Sequence, residues 1–166
     1  MIGNPIYLLA AALIPMFIGA IWYGPLFGKT WMKQNDFTEE YLEKNGNMAL
    51  ILGLSYVMSV ILAAGLSGLT NHQSGLLQLL VTHPEFDVVG SEAYELYNSF
   101  MEKFGDRHRT FGHGAFHGAL AAILLAMPLI LINGLFERKS TKLMFIHIGY
   151  WTLTLALMGG VICQFL

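Results

Sequence analysis

Two histidines four residues apart are the strongest chemical signal in this 166-residue chain. In the run TFGHGAFHG, His113 and His117 are separated by about one helical turn and would share one helix face. Two imidazoles at this spacing can bind one metal ion between them. The spacing therefore permits a metal site at His113 and His117. The alternative is a structural pair, with His113 at the water interface and His117 hydrogen-bonded inside the protein.

A metal site needs more ligands than this pair, and the sequence offers several without choosing among them. No carboxylate lies between the two histidines. The preceding segment supplies further imidazoles and carboxylates: His72, His83, Glu85, Asp106 and His108. We expect any additional ligand to come from this segment.

His147 is excluded from the same site by distance along the helix. Seventeen residues separate His117 from Gly134, which corresponds to about 25 Å of helix at 1.5 Å per residue. His147 lies near the start of the next apolar helix and therefore close to the far end of that 25 Å. One ion shared by His117 and His147 is not compatible with this arrangement.

Glycines next to the histidines predict a close helix contact. Gly114 and Gly118 form a GxxxG pattern, and alanines at 115, 119 and 122 lie beside it. Small residues let membrane helices approach each other closely. This face is expected to contact another helix of the same chain or of a second copy.

A second polar set is predicted at the opposite end of the helices. Its members are aromatic, charged or amide residues: Trp22, Tyr23, Asn133, Glu137, Arg138, His147, Tyr150 and Trp151. Asn133 should need a partner at its depth, either the Tyr150 hydroxyl or a backbone carbonyl. His147 is expected to reach water by snorkelling. The set is either a substrate or proton site or a solvated cluster of charges.

Four long uncharged segments must position these residues. All 20 charged residues lie outside residues 2–28, 45–84, 110–136 and 143–166, and each segment can hold the roughly 20 apolar residues of a membrane-spanning helix. The chain is 55% hydrophobic and 12% charged, against about 25% charged in soluble domains. We predict an all-α integral membrane four-helix bundle as a single membrane domain. Its spans are predicted at about residues 5–23, 48–69, 111–134 and 143–165.

One extramembrane insert is predicted at about residues 70–110. Ser91 should begin a short amphipathic helix, because Tyr94, Tyr97, Met101 and Phe104 recur every three or four residues. The aromatic face either covers the end of the bundle or docks a partner. Within the first span, Pro15 predicts a kink.

Charge bias predicts the orientation of the bundle. The loops after the first and third spans carry six basic residues, against three in the insert. Basic residues favour the cytoplasmic side. Both termini and the insert are therefore expected outside the cytoplasm.

Several classes of function find no support in the sequence. A net charge of −2 gives no basic surface for nucleic acid. The single cysteine, Cys163, cannot form an intramolecular disulfide. The sequence contains no nucleophile elbow, phosphate-binding loop, HExxH or CxxC motif.

Strings in all four spans resemble the bacterial family called domain of unknown function family 1761. These strings are FIGAIWYGPLFGKTWM, HGAFHG, PLILINGLFERKSTKL and HIGYWTLTLALMGGVI. The resemblance implies a small four-helix protein of the bacterial inner membrane and implies no activity. The positions that match the family pattern are Trp22, Tyr23, Gly24, Phe27, Gly28, His117, Gly118, Asn133, Phe136, Glu137, Gly149, Tyr150 and Gly159. The insert from about residue 70 to 107 is longer than the family pattern implies.

We therefore expect a non-enzymatic membrane protein without a cofactor, which acts as a homo-oligomer or as a small subunit of a membrane assembly. One alternative is a small transporter or channel with a path between protomers. The other is a metal-binding membrane protein that uses His113 and His117.

Overall fold

The computed structural model describes residues 4–166, which form helices and turns with no strand among them. Four helical segments in this part of the chain are long and apolar enough to cross a membrane: Ile6–Leu26, Met48–Thr70, Phe111–Phe136 and Thr141–Phe165. We call them the first to fourth spans. Their bounds lie within three residues of the predicted ones, and the all-α membrane fold predicted from the sequence is confirmed.

The first span is broken twice, each time near a proline. Helix α1 (Ile6–Ala11) ends just before α2 (Ile14–Ile21), and Pro15 lies in the first turn of α2. Proline cannot donate a backbone hydrogen bond, so the helix restarts there, as the sequence predicted. A wide π-type turn over Trp22–Leu26, which contains Pro25, then leads into α3 (Gly28–Gln34).

The second and third spans differ in regularity. The second span is one uninterrupted helix, α5 (Met48–Thr70), whose first turn is capped by the side chain of Asn47. The third span consists of α8 (Phe111–Ala121), a π-type turn over Ala122–Ala126, and α9 (Met127–Phe136). Pro128 in the first turn of α9 accounts for the widened turn before it, because its missing N–H interrupts the helical ladder.

The fourth span, α10 (Thr141–Phe165), is the centre of the bundle. About half of its apolar window is buried, against 11–17% for the other three spans. Helix α10 packs most extensively on α8 and also contacts α1, α5 and α9. The apolar core contains side chains from α10 and from the helices around it: Ala11, Ala63, Leu66, Ala122, Leu155, Met158 and Ile162.

Glycines set the distance between the third and fourth spans. A side chain at Gly118 would overlap the carbonyl group of Leu155, and one at Gly114 would overlap the backbone of Gly159. Gly159 in turn lies against the backbone of Gly114. The helix contact predicted from Gly114 and Gly118 is therefore confirmed within a single chain, and Gly159 completes it.

Short helices outside the spans complete the fold. Helix α4 (Glu39–Lys44) precedes the second span, and Thr38 caps it. The insert contains α6 (Gln73–Leu80) and α7 (Glu92–Phe104). Ser91 caps α7 as predicted. Helix α7 packs mainly on α6 rather than on the spans, so its aromatic face does not cover the bundle.

Replacing Gly118 should separate the third and fourth spans. In Gly118→Leu the new side chain would meet backbone atoms of Leu155 and Ala156, which cannot move aside as a flexible side chain could. We expect a loss of at least about 1–3 kcal/mol, typical of overpacking, seen as a lower melting temperature in detergent. Gly112→Leu is the matched control, because α8 has open space at that position. Equal melting temperatures for the two variants would contradict the contact.

Candidate functional site

Three histidines meet at the end of the bundle where the second span ends and the third begins. One ring nitrogen from each of His72, His113 and His117 lies within 4.8 Å of the other two. His113 and His117 lie on successive turns of α8, and their ring centroids are 4.5 Å apart. His72 comes from the turn between α5 and α6. We call these three residues the histidine cluster.

The geometry of the histidine cluster is close to that of a metal site. The Nε2 atoms of His72 and His113 are 2.9 Å apart. Three nitrogens bound tetrahedrally at Zn–N distances of about 2.0–2.1 Å would be about 3.3 Å apart. The His72–His113 separation is slightly shorter than this value, and all three nitrogens lie within 4.8 Å of one another. The three rings are therefore close to the arrangement that one ion requires.

Local structure fixes the two α8 imidazoles. Thr110 caps the helix, and its hydroxyl accepts a hydrogen bond from the His113 backbone N–H at 3.3 Å. Gly114 and Gly118, which pack against α10, each follow one of these histidines by one residue. A rotation of about 100° per residue therefore turns the imidazoles away from α10 and towards the end of the second span.

His72 is held by the residue that follows it. The side-chain amide nitrogen of Gln73 lies 2.8–3.0 Å from the carbonyl oxygens of Phe104, Gly105 and Arg107. This amide donates to the end of α7 and so ties the two ends of the insert together. Because Gln73 is itself buried, the position of His72 is determined by a contact across 31–34 residues of sequence.

His108 is a fourth imidazole beside the cluster. Its ring stacks on His113 with centroids 4.8 Å apart and an interplanar angle of 20°. Its backbone carbonyl accepts a weak hydrogen bond from the Cys163 thiol at 3.3 Å. Cys163 also donates to the Thr70 carbonyl at 3.4 Å, so the fourth span contacts both segments that border the cluster.

The structure selects among the candidate ligands that the sequence left open. His72 joins His113 and His117, whereas His83 accepts a hydrogen bond from the Glu85 backbone N–H in its own turn. The alternative of a hydrogen-bonded His117 inside the bundle is not observed, since His117 is only partly buried and lies beside His72. The sequence could name His72 as a candidate, but it contained no signal for the Gln73 contact.

The opposite end of the bundle contains the second polar set predicted from the sequence. The Tyr23 hydroxyl and His147 Nδ1 share a hydrogen bond of 2.7 Å. The Trp22 indole N–H donates to the Ile146 carbonyl at 3.0 Å. Both bonds join the wide turn of the first span to α10, and a ring carbon of Trp22 would contact any side chain placed at Gly149.

One prediction for this end is wrong. Tyr150 does not bond Asn133, because its hydroxyl donates to the Pro15 carbonyl at 2.8 Å. Asn133 is exposed and needs no protein partner. His147 is half-buried against Tyr23 and also lines a cavity. In both contacts, Tyr150 with Pro15 and His147 with Tyr23, the first span approaches α10 more closely than its own sequence reveals.

A cavity of about 360 Å³ opens beside His147. Its polar lining comes from α9, α10 and the ends of two loops: Asn35, Asn133, Glu137, Lys139 and His147. Glu137 is therefore part of a cavity and not only of a solvated charge run. Gly24 is not part of it; its backbone has non-helical angles in the wide turn, φ −99° and ψ −106°.

Comparison with known proteins gives a family and no activity. The sequence model of the family described as protein of unknown function (DUF1761) matches residues 6–163, nearly the whole chain. The chain belongs to this family, which confirms the resemblance found in its sequence. No curated protein and no solved structure matches it significantly.

The Tyr23–His147 bond can be tested with a double-mutant cycle. Tyr23→Phe and His147→Ala should each lower stability by about 1 kcal/mol, and the double variant should lose less than the sum, because one bond serves both residues. His117→Ala combined with His147→Ala should instead be additive, since the two imidazoles lie at opposite ends of the bundle. The measurement is the melting temperature in detergent. Additive losses for Tyr23 and His147 would contradict the bond.

Proposed function

We propose that this protein binds a divalent transition-metal ion at the histidine cluster, at one end of its membrane bundle. The observation that carries the proposal is the convergence of three ring nitrogens within 4.8 Å of one another from two separate helical segments. Neutral imidazole suits zinc, copper, nickel and iron, whereas magnesium and calcium prefer oxygen ligands. The composition of the cluster therefore favours the first group.

The role that we propose for the histidine cluster is ion binding. The metal-competent group found among residues 4–166 contains histidines only. Zinc hydrolases typically place a glutamate beside the metal as a general base. We therefore propose a non-enzymatic role for the site, such as sensing, carrying or storing the ion, or using it to fix the insert to the spans.

The position of the cluster is compatible with access from water. His72 is exposed, and His113 and His117 are partly exposed. The cluster borders the insert and not the apolar middle of the spans. An ion could therefore reach the three nitrogens without crossing the hydrocarbon layer.

Self-association is a second proposal with its own observation. The second span has two glycines, Gly53 and Gly65, where an added side chain would meet no atom within 4 Å. Small residues on an uncovered helix surface permit close approach by a second helix. These two glycines lie about 120° apart around α5 and about 18 Å apart along it, so they mark two separate places where a second helix of the expected oligomer or membrane assembly could approach.

The orientation in a bacterial inner membrane is also proposed. The Tyr7 and Phe165 rings stack at 5.3 Å, so the start of the first span and the end of the fourth lie at the same end of the bundle. Contacts of Cys163 with Thr70 and His108 place the insert at that same end. The excess of basic residues in the two other loops favours their location in the cytoplasm.

Metal binding should depend on all three imidazoles. For Zn²⁺ or Co²⁺ added to metal-free protein in detergent, His72→Ala, His113→Ala and His117→Ala should each weaken binding more than tenfold. Loss of a hydrogen-bond partner of a metal ligand typically weakens metal binding by about 10–100-fold, and loss of the ligand itself should weaken it at least as much. Lowering the pH from about 7.5 to about 5.5 should also weaken binding, because ligation requires neutral imidazole. Titration calorimetry and the cobalt absorption spectrum give the measurements.

His83→Ala is the matched control for these variants. His83 lies in the same insert, but it bonds its own turn and is not part of the cluster. It should bind metal like the parent protein. A wild-type protein that binds neither ion, or four variants with the same affinity, would overturn the proposed function.

Orientation can be measured with single cysteines in a Cys163→Ser background. Glu95 lies on α7 of the insert, and Lys139 lies in the loop between α9 and α10. A membrane-impermeant maleimide applied to spheroplasts should label Glu95→Cys and leave Lys139→Cys unlabelled until the membrane is opened. The reverse pattern would invert the orientation proposed here.

A further inference from the structure

The cavity beside His147 contains charges of both signs that are not used inside the protein. Glu137 and Lys139 both line it. The ion pair found among residues 4–166 is Lys44–Glu40, so neither cavity charge is paired within the described chain. Both side chains are exposed at the cavity rim and are free to meet a ligand.

Neutral polar groups accompany these charges. The amides of Asn35 and Asn133 line the same cavity, and each can donate and accept hydrogen bonds. The apolar part of the lining includes Ile130 and Met144. A volume of about 360 Å³ lies in the range of roughly 300–1,000 Å³ usual for small-molecule sites. The cavity is thus suited to a compact ligand with a positive group, a negative group and an apolar continuation.

The surface next to the cavity is apolar and uncovered. Phe136, which immediately precedes Glu137, is 86% exposed, and Leu135 is 68% exposed. Both belong to the last turn of the third span, where a membrane helix passes from hydrocarbon to headgroups. A molecule in the cavity could therefore extend acyl chains along this part of the span.

We propose that the cavity binds a zwitterionic phospholipid through its phosphoethanolamine headgroup. Lys139 pairs with the phosphate, and Glu137 pairs with the primary ammonium. Asn35 and Asn133 offer hydrogen bonds to the phosphate and glycerol ester oxygens, and the acyl chains lie against the exposed end of α9. This site is separate from the histidine cluster and does not depend on metal binding.

Charge explains why this headgroup fits better than an anionic one. Phosphatidylglycerol has the same phosphate for Lys139, but its neutral glycerol group offers Glu137 hydroxyl donors in place of an ammonium. An ion pair with the ammonium adds a Coulomb attraction that a neutral hydroxyl does not supply. The pair of charges therefore predicts preference for phosphatidylethanolamine over phosphatidylglycerol.

The preference can be measured by native mass spectrometry of delipidated protein. Phosphatidylethanolamine and phosphatidylglycerol with identical acyl chains are added in equal amounts to the full chain in detergent. We expect about a two- to fivefold excess of retained phosphatidylethanolamine, the range given by one exposed ion pair. Glu137→Gln should abolish this preference, and Lys139→Gln should lower the retention of both lipids.

Lys142→Gln is the matched control, since Lys142 is a nearby exposed lysine that does not line the cavity. Lys142→Gln should retain the same amount of lipid as the parent protein, with the same preference for phosphatidylethanolamine. Equal retention of the two lipids by the wild type would overturn the proposal, as would the same preference in Glu137→Gln. Competition by soluble phosphoethanolamine at the same concentration would overturn the assignment to a lipid and indicate a water-soluble zwitterion.

Discussion

The direct contact between the backbones of the third and fourth spans is the constraint on which the rest of the structure depends. Gly114 and Gly118 on α8 meet Leu155 and Gly159 on α10, with no room for a side chain between them. In a membrane, where lipid competes with apolar side chains, such close packing supplies much of the force between helices. This contact makes α10 the central helix, which the other spans then surround.

The same contact orients the imidazoles of the third span. His113 and His117 each precede a contacting glycine by one residue, so they cannot face α10 and must point to its side. There they meet His72, which the buried Gln73 amide holds by reaching carbonyls at the end of α7. A metal at this point would join the third span to the start of the insert. The proposed binding function and the packing of the bundle therefore share one structural cause.

At the other end, proline-induced irregularity in the first span has the corresponding role. The wide turn around Pro25 brings Tyr23 into hydrogen-bonding distance of His147 and places the Trp22 indole on the backbone of α10. The Tyr150 hydroxyl on α10 donates a hydrogen bond to the Pro15 carbonyl of the same span. Because Trp22, Tyr23 and Tyr150 already have these partners, they are not available to Asn133 and Glu137. Those two side chains remain open to a cavity at the membrane boundary.

The sequence by itself determined the membrane class, the four spans to within three residues, the helix start at Ser91, and the family. These features follow from local rules, because a bilayer requires long uncharged segments and a helix start requires a capping side chain. The sequence also placed His113 and His117 on one face and identified Gly114 and Gly118 as a contact surface. Helical periodicity alone is sufficient for both inferences.

Only the tertiary structure decided which of five candidate residues joins the histidine pair, which helix is central, and what His147 and Tyr150 contact. Each depends on how helices rotate about their own axes and which backbones touch. That rotation is set by contacts between residues far apart in sequence, such as Gln73 with Arg107, Tyr23 with His147, and Gly118 with Leu155. No local pattern encodes such pairs, because every apolar helix presents several faces that are equally compatible with its sequence.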